Sequence, residues 1–338
     1  MKKFITILNF VLVFVSCGRG GLDLEPEQGP PIAFDELTTR AIITEDNFES
    51  VVTEFGVWAE VNTTAGASDF SDLLTNERVY KNDASWKYDN VRYWMYDRTF
   101  NFFAYWPYTV TGVEKATLTG NHPGYKVPFT MTDAADRELL FAHNTCVTET
   151  GQALPGAVNM NFEHALSQLN FKVAKNSANV NNRVILNKLV LSGVKNKANY
   201  YTTRDSDSDY WEIAADASAI ELHPAVKSGE LSANTPGGTI SPVLQNPLLV
   251  IPQQVAENTM LLSIEYSFYD VDPETHVATL LFKTTVNKHI PAITWEQGKS
   301  YMYNLTLDPV DNDILFGTPT IASGWGTSVQ TGGTLIIR

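Results

Sequence analysis

Six histidines, two cysteines and one run of aspartates are the residues of this 338-residue chain best suited to chemistry. The histidines are His122, His143, His164, His223, His276 and His289, and no two lie within four residues of each other. There is therefore no HExxH pair to grip a metal from one helix face. The sequence also lacks a G-x-S-x-G elbow, a P-loop and a G-x-G-x-x-G turn, so no catalytic residue, metal or cofactor is assigned. Paired carboxylates of the glycosidase kind leave little local trace. The one acidic cluster is RDSDSDYWEIAAD, with Asp205, Asp207 and Asp209 at alternate positions and Asp216 further on. It resembles the opening of a calcium loop, but Tyr210 stands where such a loop needs Gly for its sharp turn. The stretch reads instead as a solvated hairpin tip between ANYYTTR and YWEIA.

His164 sits in NFEHALSQLNFKVA, residues 161–174, which allows two readings. Phe162, Leu166, Leu169 and Val173 lie on one helical face, whereas Phe162, His164 and Leu166 alternate as a strand and Leu169, Phe171 and Val173 alternate in the opposite phase. A phase reversal is what a bulge or a crossing between sheets produces. The reading taken is a strand bent at Ser167-Gln168, with His164 packed on an apolar face and unreactive.

The cysteines point to export. Met1-Lys2-Lys3 is a basic start, Phe4 to Val15 is an apolar run, and Ser16-Cys17-Gly18 follows at once. Such a run is shorter than the ~20 residues that span a bilayer, so it reads as an export signal. A small residue directly before Cys is the pattern of lipoprotein processing, which would leave Cys17 lipidated at the new N-terminus. Cys146 is then without a partner for an intrachain disulfide and reads as a small buried apolar residue.

The elements that would carry these residues are strands. Charged residues are 18% of the chain and aromatics 11%, and short runs rich in Tyr, Phe, Thr and Val recur between turn signals. The expectation is all-β, with two β-sandwich domains. Residues 1–17 form the signal, 18–40 a Gly- and Pro-rich tether, 41–157 the first sandwich and 158–338 the second, with the break at ALPGAV. The net charge of −14 and the lack of Lys/Arg clusters exclude a nucleic-acid binder. Aromatics crowd SWKYDNVRYWMYDRTFNFFAYWPY, either as sandwich core or as a glycan-stacking surface centred on Trp94 and Trp106.

NFEHALSQLNFKV resembles the F-x-H-A-L-S-x-L-x-F-x-V segment of the fimbrillin family of Bacteroidetes, the subunits of type V pili. FNFFAYWP, ELLFA, LLVIPQQ and WEQGKSYMYNLTL are similar, in order, to further segments of that family. The resemblance implies transthyretin-like sandwiches, export to the outer membrane as a lipoprotein, and maturation by a secreted arginine-specific protease. The matching cut lies between Arg40 and Ala41 in TTRAII. It implies other pilus subunits as partners, through β-strand addition to the groove the cut opens, and a surface ligand that the sequence does not name. The tail GTSVQTGGTLIIR offers Leu335, Ile336, Ile337 and Arg338 as a candidate donor strand. Stalk, tip and anchor positions all stay open, as does the rival reading of a monomeric glycan-binding lipoprotein.

Overall fold

The structure, a computed structural model, describes residues 28–39, 51–66, 69–83, 85–117, 123–132, 138–176, 182–203, 209–227, 229–233, 239–323 and 325. Met1 to Val15, Cys17, Arg40, Ala41, Asp205, Asp207 and Leu335 to Arg338 lie outside them.

The named elements are all strands. In chain order they begin with β1 (Gln28–Pro31), β2 (Phe34–Thr39), β3 (Glu54–Asn62), β4 (Phe70–Asn82), β5 (Ser85–Lys87), β6 (Tyr93–Met95), β7 (Arg98–Trp106) and β8 (Glu114–Thr117). Then come β9 (Pro123–Thr130), β10 (Leu140–Thr148), β11 (Val158–His164), β12 (Ser167–Lys175), β13 (Asn182–Lys195), β14 (Lys197–Thr203), β15 (Tyr210–Ile213) and β16 (Ala219–Leu222). The last are β17 (Leu248–Val250), β18 (Gln253–Val255), β19 (Leu261–Val271), β20 (Ala278–His289), β21 (Ile293–Trp295), β22 (Lys299–Asp308), β23 (Asp313–Phe316) and β24 (Thr320–Ser323).

A seven-stranded sheet in the order β2-β11-β10-β7-β3-β4-β5 carries most of the first half of the chain. Its central strand β7 is buried on both faces, which is why RTFNFFAYW lacks simple apolar alternation. Phe100, Phe102 and Ala104 enter one core with Ile32, Phe34, Phe55, Trp94 and Phe162. Phe103 and Tyr105 enter the other, against Tyr125, Val127 and Tyr200 of the sheet β15-β14-β9-β8. That second core continues into the five-stranded sheet β17-β12-β22-β23, where β24 also pairs with β22, and into the sheet β16-β13-β19-β20. Sheets packed face to face over these cores make the protein an all-β sandwich protein.

Two expectations change in detail. Residues 161–174 are strands, but the break falls at Ala165-Leu166 rather than Ser167-Gln168. The phase reversals there because the chain leaves one sheet and enters another: β11 pairs with β10, and β12 pairs with β17 and β22. The stretch expected to be a tether carries β1 and β2. The break expected at residue 157 precedes β11, which joins the seven-stranded sheet, and β9 pairs with β14 across that point.

Candidate functional site

β2 is the edge strand of the seven-stranded sheet and runs parallel to β11. Phe34 pairs with Val158 and Thr39 with Phe162, with an irregularity between Asn159 and Asn161. Val158 N–H donates to the Ala33 carbonyl at 2.8 Å. Upstream, Ile32 N–H donates to the Arg92 carbonyl at 2.8 Å, and Tyr88 hydroxyl donates to the Ile32 carbonyl at 2.9 Å. Ile32 and Phe34, two residues apart, point inward and are almost fully buried. The Phe34 ring meets Tyr88, Phe55 and Phe102 edge-on at centroid distances of 5.6, 6.0 and 6.2 Å, and Phe55 in turn meets Phe162 at 5.4 Å.

β1 lies on β6 as a short antiparallel pair, and its Pro30-Pro31 suits a strand with an open edge. Gly29 packs closely there: a Cβ would stand 2.2 Å from Leu154 Cδ1, which would have to move, and 3.1 Å from the Trp94 carbonyl oxygen. Residues before Arg40 thus cover an apolar trough floored by Phe55, Tyr88, Trp94, Phe102 and Phe162. β2 ends at Thr39, one residue before Arg40.

The aromatic run expected either as core or as a sugar platform is core at its centre. Trp94 is fully buried and packs on Phe100 at 4.8 Å, so it offers no face to a glycan. Trp106 is half-buried against the same core. Cys146 is partly buried rather than fully so, and burial pushes its thiol up.

His164 is packed, as expected, and has company that the sequence did not suggest. Its side chain is 3% exposed, and Nδ1 lies against a carboxylate oxygen of Glu138, itself 7% exposed. The indole of Trp325 stacks on the imidazole at 4.0 Å and 20°. His164 Nε2 and Trp325 Nε1 are buried without a hydrogen-bond partner. The chain around the pair is pinned: Ala165 N–H donates to the Leu139 carbonyl at 2.9 Å, and Trp211 Nε1–H to the Ala165 carbonyl at 2.8 Å.

The aspartate cluster divides. β14 and β15 form the expected hairpin, but Asp209 turns inward, accepting from the Tyr200 hydroxyl at 2.6 Å and lying 3.5 Å from His143 Nε2. Asp216 is bound by Lys197. Among the described residues no group of three or more His, Cys, Asp or Glu is arranged to hold a metal. On the outer face of this hairpin Tyr201 stacks on Tyr210 at 4.9 Å. Burial, then the hydrogen bond to Glu212, raises the Tyr201 phenol from 10.0 to about 12. The neutral phenol is therefore favoured by folding. Its contribution is complete below pH 10 and is lost as the pH rises toward 12, because the unfolded chain ionises first. In an alkaline absorbance titration Tyr201→Phe should remove one tyrosine's worth of the late-ionising signal near pH 12; an unchanged curve in that region refutes the assignment.

A relative, the fimbrium subunit Fim1C of Phocaeicola vulgatus ATCC 8482, is 27% identical over 248 residues. The match takes in 64% of this chain and 63% of that relative's length, so the chain spans less than two thirds of it. In fold, the chain is similar to a fimbrial protein of Bacteroides vulgatus ATCC 8482 known from its crystal structure, with a TM-score of 0.62 and 19% identity. That similarity covers 87% of this chain and 99% of the other. The fimbrillin-like family model matches residues 39–325, from the last residue of β2 to Trp325, and the chain belongs to that family.

Proposed function

We propose that the chain is a structural and adhesive subunit of a fimbrium, made as an outer-membrane lipoprotein precursor and assembled by strand exchange. In this reading Cys17 carries the lipid, and an arginine-specific protease cuts between Arg40 and Ala41. Family membership and the fimbrial relative support the fimbrial part.

One observation carries the exchange part. The segment leading to Arg40 is held by two inward anchors, Ile32 just before the edge strand and Phe34 at its start, in a trough that would otherwise expose Phe55, Tyr88, Phe102 and Phe162. An open β11 edge is an aggregation hazard until a partner strand fills it. Filling it recovers main-chain hydrogen bonds, and pockets for alternate side chains set the specificity. Leu335 and Ile337 have the same two-residue spacing as Ile32 and Phe34, so the tail Leu335 to Arg338 of another subunit suits the vacated pockets. The chain then divides into two transthyretin-like sandwiches, with the crossing at Ala165-Leu166 as the junction. The role is mechanical and adhesive rather than catalytic.

The test treats the purified precursor with an arginine-specific protease and sequences the product from its N-terminus. The expected product begins at Ala41 and forms ladders that resist SDS. A blocked, lipidated Cys17 on the mature cell-surface protein, with no cut at Arg40, would sink the reading.

A further inference from the structure

β20 is the last strand in the order β16-β13-β19-β20, paired with β19 on one side and, among the described residues, with no strand on the other. Its C-terminal end is closed off by β23, because Lys288 Nζ donates to both carboxylate oxygens of Asp313 at 2.8 and 3.0 Å. Its N-terminal half is open. There Val277, Leu280, Leu281 and Phe282 are 38–61% exposed, a cluster of large apolar side chains on a sheet edge. The register places them on both faces of the strand. Phe282 pairs with Phe268 and Leu280 with Tyr269, and Leu281 is the extra residue of a bulge. Cross-strand partners share a face and successive residues do not, so Phe282 lies on the core face and Leu280 on the opposite one. Phe282 stacks on Phe268 at 5.0 Å and meets Tyr266 edge-on at 6.2 Å, so the core runs out to the edge through it.

A strand that is apolar on both faces belongs inside a sheet, as β7 does in this protein. At an edge it pairs with a further strand or aggregates. Bulges and lysines are the usual guards of such edges, and here neither guards. The bulge presents a leucine, and Lys283 is drawn back to Glu265 at 2.8 Å. Charge narrows the choice of partner. The chain carries 38 acidic and 24 basic residues, so its copies repel one another over most of their surface. Residues 277–289 contain no Asp or Glu, and the one charge of the open half, Lys283, is already paired. Two copies can therefore approach here without bringing like charges together.

We propose that the open half of β20 pairs antiparallel with the same half-strand of a second copy, extending the sheet across a two-fold axis. A two-fold contact sets one patch against itself. Centred on Leu281, the pairing puts Leu280 opposite Phe282 and Thr279 opposite Lys283 of the other copy, so no like charges face each other. The outer main-chain groups gain partners, and the strand becomes the interior strand that its side chains suit. β20 and β2 belong to different sheets. The contact is therefore independent of cleavage at Arg40 and leaves the β11 edge free for exchange.

The test measures sedimentation velocity of the uncut precursor over a concentration series, with amide exchange followed at its two ends. One strand pair makes a small interface, and a monomer–dimer midpoint of about 10 µM is expected. Amides of residues 278–284 should exchange more slowly at the dimeric concentration. Leu281→Lys should weaken the dimer about a hundredfold, because a two-fold contact loses each leucine twice and sets two new charges face to face. Val147→Lys, at an exposed apolar residue of another sheet, should leave the dimer as it is. A wild-type chain that stays monomeric to about 100 µM, or a dimer that Leu281→Lys leaves intact or Val147→Lys weakens equally, overturns the inference. Growth into open-ended oligomers also overturns it, since that is what a head-to-tail contact gives. Where Leu281→Lys does not fold, wild-type exchange at 278–284 that ignores concentration overturns it instead.

Discussion

Phe34→Ala is expected to release the leading segment from the cleaved protein about a hundredfold faster than wild type. The ring is buried and makes three edge-on aromatic contacts. Truncating a buried Phe costs about 3–5 kcal/mol. After cleavage that loss falls on docking rather than on global folding, because β1 and β2 are then held to the body by non-covalent contacts, among them strand pairing, the Ile32 hydrogen bonds to Arg92 and Tyr88, and the buried Ile32 and Phe34 side chains. At 1.4 kcal/mol per decade, the lower bound of about 3 kcal/mol corresponds to roughly two decades in the dissociation constant, and most such differences appear in the off-rate. Retention of the cut segment on size exclusion over time measures it. In the uncut precursor the same substitution loosens β2 locally, so it should raise amide exchange along β11 while the body keeps its thermal midpoint. Release at the wild-type rate would mean that β2 is not what closes the trough.

The sequence carried the strand class and the packed state of His164, since both rest on local alternation. It also carried the phase reversal after Leu166, although not its cause. Only the sheet assignment shows that the chain changes partners at Ala165-Leu166, and pairing between β12 and β22 joins residues far apart in the chain. The two strands before Arg40 were hidden for the same reason. GPPIAFDELTT has no sustained period, and its strand character comes from β6 and β11. Prolines that look like linker composition are here residues of an open-edged strand.

Dense aromatics misled in a different way. Trp94 reads equally well as platform or core, and what decides is β1, whose Gly29 lies on it. The acidic site was out of reach altogether, because Glu138, His164 and Trp325 come from three separate parts of the chain. Asp209 shows the limit of counting charges in a tip: one of its aspartates turns inward to Tyr200 and His143.

Trp325 makes the second large prediction, and it separates two contributions of one side chain. The indole is 2% exposed and stacked on His164, so Trp325→Ala forfeits the burial of a large ring. The usual cost for a buried Trp is about 3–5 kcal/mol. Two effects oppose each other around that value. Removing the ring admits water to Glu138 and His164, which relieves their desolvation, and it also removes an indole N–H that is buried without an acceptor. An unmet buried donor costs about 1–3 kcal/mol, so both effects offset part of the loss, and about 3 kcal/mol is expected in urea unfolding at constant m. Trp325→Phe keeps a flat ring over the imidazole and discards only the unmet donor and some volume. It should therefore cost less than about 1.5 kcal/mol. A loss below about 0.5 kcal/mol for Trp325→Ala would show that the indole does not seal the Glu138–His164 pair. An equal loss for Phe and Ala would show that the full indole volume, rather than a ring plane over His164, closes this end of the sheet.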